Sequence, residues 1–280
     1  MNTQNLNSGA RPEYIEVEKN VKLHVTDLGN GPAVVLIHGL PLDNSMFEYQ
    51  YQELAEQGFR VIGISLRGFG KSSNPYGAYN YDVFSSDIKA VLEALELEYV
   101  TLGGFSMGGA IAIHFVAKYG SDRVRKLALF GAPAPSWIQR PDYPFGLPVE
   151  GLNDLISLSK TNRPLLLQNI GKIFGASEDS IAPELGNWLY QINMNASPYA
   201  TTQGLIALRE ADLRSELQKI NIPTVIFHGV NDQIAEFGMA EVMNEGIKGS
   251  ELIRFEKSGH GLFIEELEKF NRELINFLSK

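Results

Sequence analysis

Gly104-Phe105-Ser106-Met107-Gly108 is the stretch that decides the fold of this 280-residue chain. The residues before it, 100–105, are apolar or small in the manner of a buried strand. Those after it, 107–119, read as a helix, with Gly108, Gly109, Ala110 and Ala112 gathered at its start. A serine on so sharp a strand-to-helix turn holds strained backbone geometry and presents its hydroxyl at the edge of the sheet. Small neighbours are required because a side chain there would run into the adjoining strand or helix. The helix N-terminus aims free N–H groups at the place where an oxyanion would form. A five-residue motif also arises by chance, so its weight depends on its flanks and on whether its chemical partners exist.

Serine at its ordinary pKa is a poor nucleophile and needs a base, which in turn needs an orienting group. The chain has five histidines: His24, His38, His114, His228 and His260. His260 lies in Ser258-Gly259-His260-Gly261, between a strand pattern at 251–255 and a helical run at 262–278. That is a loop at the carboxyl end of a strand, where open α/β sheets place their ligands. We expect His260 to be the base; the plainer alternative is a loop histidine capping the last helix. The acid should lie between serine and histidine in chain order. The strand pattern 223–228 is followed by Gly229-Val230-Asn231-Asp232, and the loop after 127–130 (Gly131-Ala132-Pro133-Ala134) holds no carboxylate. Asp232 is therefore the expected acid, against the reading of an ordinary turn aspartate. The strand pattern 33–37 leads into His38-Gly39-Leu40-Pro41. The backbone N–H groups of Leu40 and Met107 are the expected oxyanion donors. Pro41 lacks an N–H and biases Leu40 towards extended geometry. His38 is expected to make a structural hydrogen bond, and His24, His114 and His228 to be satisfied structural residues.

Together these pieces resemble the α/β-hydrolase superfamily, over nearly the whole chain from about residue 13. More closely, the chain is similar to the cofactor-free haloperoxidase, arylesterase and perhydrolase branch. The matching stretches are Leu36-Ile37-His38-Gly39-Leu40-Pro41-Leu42, Arg67-Gly68-Phe69-Gly70-Lys71-Ser72, Gly104-Phe105-Ser106-Met107-Gly108-Gly109 and Ser258-Gly259-His260-Gly261-Leu262-Phe263. The resemblance implies hydrolysis of small carboxylic esters. In some members it also implies peracid formation from carboxylic acids and peroxide, with no metal or haem. Pro41 matches the proline that accompanies perhydrolase activity, although a proline there also has a purely conformational reading. Two departures stand out. Ser65-Leu66-Arg67 replaces the usual Asp before the Arg-x-Gly-x-Gly turn, which we read as a changed structural hydrogen bond. Leu40 stands where the branch often has an aromatic residue, which should reshape the acyl pocket.

Composition bounds the answer. There is no cysteine, so no disulfide, thiol nucleophile or cysteine-ligated metal is possible. The formal charge of −9 argues against nucleic acid, which needs a basic face. Residues 1–11 are polar and Asn-rich, unlike a secretory signal, and no apolar run approaches the ~18 residues of a membrane span. A cytoplasmic location is the default expectation. Histidines do not cluster with carboxylates at ligand spacing, so no metal or other cofactor is expected.

Along the chain, strands are expected at 14–17, 22–26, 33–37, 59–65, 100–105, 125–130, 223–228 and 251–255, and helices at 45–57, 81–95, 107–119 and 262–278. Such alternation predicts a mostly parallel sheet flanked by helices. The pattern breaks after Gly131, where prolines punctuate the chain and short helices follow without strands. We expect an α/β-hydrolase core at 12–135 and 215–280, with an inserted helical cap at 136–214. The substrate pocket is expected from Leu40, Met107, Trp137, Ile234 and Leu262. Trp188, Tyr190, Met194 and Tyr199 are further candidates for an apolar wall, against the reading that they form the cap's own core. The expected function is a serine hydrolase of small to medium carboxylic esters. Perhydrolysis, lactone or C–C bond hydrolysis, and a ligand-sensing protein on the same fold are the alternatives.

Overall fold

The computed structural model describes residues 11–280. Its strands are β1 (Tyr14–Glu18), β2 (Val21–Leu28), β3 (Ala33–Ile37), β4 (Arg60–Ile64), β5 (Val100–Phe105), β6 (Val124–Phe130), β7 (Thr224–Gly229) and β8 (Glu251–Phe255). They form one sheet in the order β1-β2-β4-β3-β5-β6-β7-β8. β1, β2 and β4 pair antiparallel, and every pairing from β4 through β8 is parallel. The central strands β5 and β7 are buried along their whole length, as strands covered on both faces must be. Successive strand residues face opposite sides of a sheet. Accordingly Val35 and Ile37 enter one apolar cluster while Val34 and Leu36 enter another.

The helices that fill these two clusters are α1 (Glu48–Glu56), α2 (Tyr81–Ala94), α3 (Met107–Tyr119), α4 (Val149–Thr161), α5 (Arg163–Lys172), α6 (Pro183–Asn195), α7 (Pro198–Glu210), α8 (Phe237–Gly246), α9 (Leu262–Glu265) and α10 (Leu267–Ser279). Phe84 of α2, Ile111 of α3 and Met239 of α8 belong to the first cluster. Tyr51 of α1 and Phe270 and Leu274 of α10 belong to the second. The sheet thus divides the core into two layers. The chain leaves β3 for β4 on one side and later returns to β5 on the other. The strand order reverses between β3 and β5, and the crevice at such a reversal is where α/β sheets bind ligands.

Most expected elements are present, with instructive differences. The expected helix at 45–57 opens instead as a 3-10 turn, Asn44–Phe47, because Asp43 Oδ1 accepts from Ser45 N at 2.8 Å and draws the first turn tight. The expected continuous helix at 262–278 is broken at Glu266, which sits at φ −120°, ψ 51°. Helix α8 was not anticipated. Between β6 and β7 the chain forms α4 to α7 and no strand. These helices touch the loops at the carboxyl ends of several strands. Ser197 N donates to Gly68 O at 2.9 Å, Gly204 packs on Leu40, and Gly261 N donates to Phe174 O at 2.8 Å.

Candidate active site

Ser106 joins β5 to α3 with φ 51° and ψ −124°, a conformation that L-residues rarely adopt. The turn is held from both sides: Ser106 N donates to Phe130 O at 2.8 Å, and Gly109 N donates to Ser106 O at 2.9 Å. Two glycines allow it. A Cβ on Gly104 would lie 2.3 Å from Gly108 O, and one on Gly108 would lie 2.4 Å from Ile37 O. The motif glycines are therefore required by close backbone approach between β5, α3 and the end of β3.

Asp232 follows β7 and is fully enclosed. Its Oδ1 accepts from Ile234 N and Ala235 N, both at 2.8 Å, and its Oδ2 accepts from His260 Nδ1 at 2.7 Å. Burial alone would raise its pKa. The neighbouring His260, its hydrogen bond, His228 and the Ala235 N–H together outweigh burial, so the carboxyl is held below its ordinary value. It is an ionised acceptor. His260 is buried, with its ring set against Phe105 at 4.8 Å and Phe174 at 5.5 Å between centroids. Its Nδ1 is committed to Asp232. Among the described residues, neither His260 Nε2 nor Ser106 Oγ has a hydrogen-bond partner. The Leu40 and Met107 N–H groups likewise have none among those residues. A ring nitrogen, a hydroxyl and two amides without partners among the described residues therefore lie on the loops after β3, β5 and β8. That set can deprotonate a serine and receive an oxyanion.

The other histidines are engaged differently. His38 Nε2 accepts from Leu66 N at 2.9 Å and its Nδ1 donates to Gly39 O at 2.9 Å; burial pushes its pKa down to about 4. His114 meets Glu216 at 3.0 Å and Asp82 at 3.2 Å. His228 departs from the expectation that every one is satisfied. Its Nε2 contacts Ala235 O at 2.7 Å and Asp232 Oδ2 at 3.5 Å, while its buried Nδ1 has no partner among the described residues. The strand places its ring against Asp232 and edge-on to Phe237. In place of the Asp usual before the Arg-x-Gly-x-Gly turn, Ser65 Oγ accepts from Asn44 N at 3.2 Å, and Arg67 forks onto Asp87 with both bonds at 2.6 Å.

The expected pocket residues are divided. Met107 and Trp137 lie in the first apolar cluster with Leu40 against it, and Leu262 lies in the second. Ile234 packs against both, and its carbonyl accepts from Trp137 Nε1 at 2.6 Å. None of the five lines the cavity of about 640 Å³ between α5 and α6, which is walled by residues including Leu42, Phe174, Ile181, Leu189 and Tyr190. Of the further aromatic candidates, Tyr190 faces that cavity, Trp188 packs edge-on to Tyr49, and Tyr199 stacks on Tyr76. Sequence reasoning missed three residues around His260 and Asp232. Phe174 carried no signal. His228 stands four residues before Asp232, a spacing that could have drawn notice. Glu265, which accepts from Gly259 N, reads simply as a helix acid.

A family model for the alpha/beta hydrolase fold matches residues 32–267. The chain belongs to the α/β-hydrolase superfamily, in its haloperoxidase and esterase branch. It is 46% identical over 264 residues to an AB hydrolase superfamily protein, YisY, of Bacillus subtilis, covering 94% of this chain and 98% of that one. An esterase from Exiguobacterium antarcticum superposes with a TM-score of 0.94 at 43% identity, covering 96% and 100% of the two chains. A bromoperoxidase from Bacillus anthracis superposes at 0.92 with 35% identity, covering 95% and 99%. Among the described residues no helix is long and apolar enough to cross a membrane.

Proposed function

We propose that the chain is a serine hydrolase of small to medium carboxylic esters. The observation that carries this reading is the 2.7 Å bond from His260 Nδ1 to an ionised, amide-anchored Asp232, on the same sheet edge as the strained Ser106. In this mechanism His260 Nε2 takes the Ser106 proton as Oγ attacks the acyl carbon. The tetrahedral oxyanion is received by the Leu40 and Met107 amides; one such donor is worth about 2.7–4 kcal/mol in the transition state. The intermediate collapses, His260 protonates the leaving alcohol, and an acyl-enzyme remains. A water deprotonated by His260 then attacks it, releasing the acid and restoring Ser106. Residues 136–214 act as a cap over this edge, with 12–135 and 215–280 as the core. The similarity to an esterase at 43% identity supports the same reading.

Perhydrolysis is the second reading, favoured by Pro41 and by the similarity to a bromoperoxidase. Peroxide would replace water at the acyl-enzyme and the product would be a peracid. Steady-state hydrolysis of p-nitrophenyl acetate, butyrate and octanoate by wild type and Ser106→Ala, with and without peroxide, tests both. Turnover that vanishes in Ser106→Ala is expected. A stoichiometric burst alone, or equal activity in the two proteins, would overturn the esterase reading in favour of a ligand sensor.

A further inference from the structure

The loop that carries His260 is held by two adjacent carboxylates, and one of them reaches outside the loop. Glu266 Oε2 accepts from Lys257 N at 3.1 Å and from Ser258 Oγ at 2.7 Å. Glu265 Oε2 accepts from Gly259 N at 2.8 Å, so the three residues before His260 are anchored in succession. Glu265 ends α9, and Glu266 sits at the break between α9 and α10 with φ −120°.

The other oxygen of Glu265 faces the segment joining α5 to α6. Its Oε1 accepts from Ala176 N and from Ser180 Oγ, both at 2.7 Å. The two loops also touch directly. A Cβ on Gly259 would lie 2.4 Å from Gly175 C, and Gly261 N donates to Phe174 O at 2.8 Å. The Phe174 ring stands edge-on to the His260 imidazole at 87°. On its far side the same segment walls the 640 Å³ cavity through Phe174, Glu178, Asp179 and Ile181. One carboxylate therefore ties the cavity wall to the base loop, accepting from three donors, Ala176 N, Ser180 Oγ and Gly259 N.

We propose that Glu265 is a positioning residue for His260: it clasps the 174–181 segment to Gly259 and so fixes the aim of the imidazole. The inference rests on the serine-hydrolase reading, in which that aim sets the rate of proton transfer. Glu265 touches no reacting atom. Its removal takes away the clasp between Gly259 and the cavity wall, leaving the Gly261 N–Phe174 O bond and the Glu266 anchors to hold the loop less firmly.

The test uses the full chain carrying Glu265→Ala and Glu265→Gln, with p-nitrophenyl acetate kinetics, thermal unfolding and the low-field proton resonance of the His260 Nδ1–H···Asp232 bond. A misplaced catalytic group typically costs 10- to 100-fold, so kcat in Glu265→Ala should fall by about that factor with KM changed by less than about twofold. Glu265→Gln keeps the shape but has one acceptor oxygen instead of two, and should fall between. It carries the test if Glu265→Ala does not fold. The low-field resonance should shift or broaden in both. Unchanged kcat and an unmoved resonance with only a lowered Tm would overturn the proposal and leave Glu265 a structural clasp. A rise in KM with kcat intact would also overturn it, in favour of a role in substrate binding. If wild-type turnover does not depend on Ser106, the hydrolase reading fails, and the resonance still reports whether Glu265 holds the imidazole.

Discussion

Asp232 is the residue on which the site's geometry converges. Two backbone amides fix one of its oxygens, and His260 and His228 both approach the other. Replacing it by Asn keeps the shape but can set an NH2 against His260 Nδ1–H, so the ring turns to the tautomer that protonates Nε2. A base with a proton already on its working nitrogen cannot accept another from Ser106. On the proposed serine-hydrolase reading, we expect Asp232→Asn to fold with near-normal Tm and to lose as much as ~10⁴-fold in kcat on p-nitrophenyl acetate, by analogy with known Ser-His-Asp triads. Near-normal kcat in this variant would remove Asp232 from the acid's role. Ser106, Asp232 and His260 were all legible as candidates because their chemistry is written in short stretches with glycine flanks and a fixed chain order. Phe174 and Glu265 were not: the Phe174 ring reaches His260, and Glu265 reaches Ala176, only through a contact between segments far apart in the chain, 89 residues in the case of Glu265 and Ala176.

The strand–turn–helix unit around Ser106 is where sequence pattern and backbone strain agree most closely, and the expected β5 and α3 match the observed bounds. Its weakness to substitution follows from the same closeness. Gly104→Ala would place Cβ 2.3 Å from Gly108 O, a backbone atom that cannot rotate away. The start of α3 must then shift, carrying the Ser106 turn and the Met107 N–H with it. Overpacking of this kind costs about 1–3 kcal/mol, so urea unfolding should show a lowered midpoint at unchanged slope, together with a larger proportional loss of kcat/KM than of stability. Retention of full activity would mean that the turn tolerates displacement and that strain at Ser106 is not tied to its chemistry. At 262–278 the pattern misled instead: apolar spacing continues through Glu266 although the backbone does not. Periodicity records which side chains face the core, and it is silent about the carboxylates of Glu265, at the end of α9, and Glu266, at the break, that bind loop amides.

At the scale of the molecule, the sheet order brings the loop after β3 beside the turn after β5, and the long excursion through α4 to α7 re-enters the sheet at β7. The alternation of strands and helices made the parallel sheet readable, but nothing in it fixed how the excursion rejoins the core. One rejoining point is His114 of α3, whose ring meets Asp82 at the start of α2 and Glu216 just before β7. The Glu216 hydrogen bond is the largest cause of a raised His114 pKa; burial opposes it, and Asp82 adds to it. Lys118 also binds Asp82, competing for the same carboxylate. A histidine whose pKa is raised on folding favours the folded state through its charged form. That contribution is fully present below the unfolded value of 6.5 and fades as pH climbs through the higher folded value. The gap in Tm between wild type and His114→Gln should therefore be wider near pH ~5.5 than near pH ~8.5, the two sides of that titration. Differential scanning calorimetry of both proteins at the two pH values reads it directly. A gap that is flat, or that grows with pH, would mean that the ring bridges these helices in its neutral form and that its charge adds nothing to the re-entry of the chain.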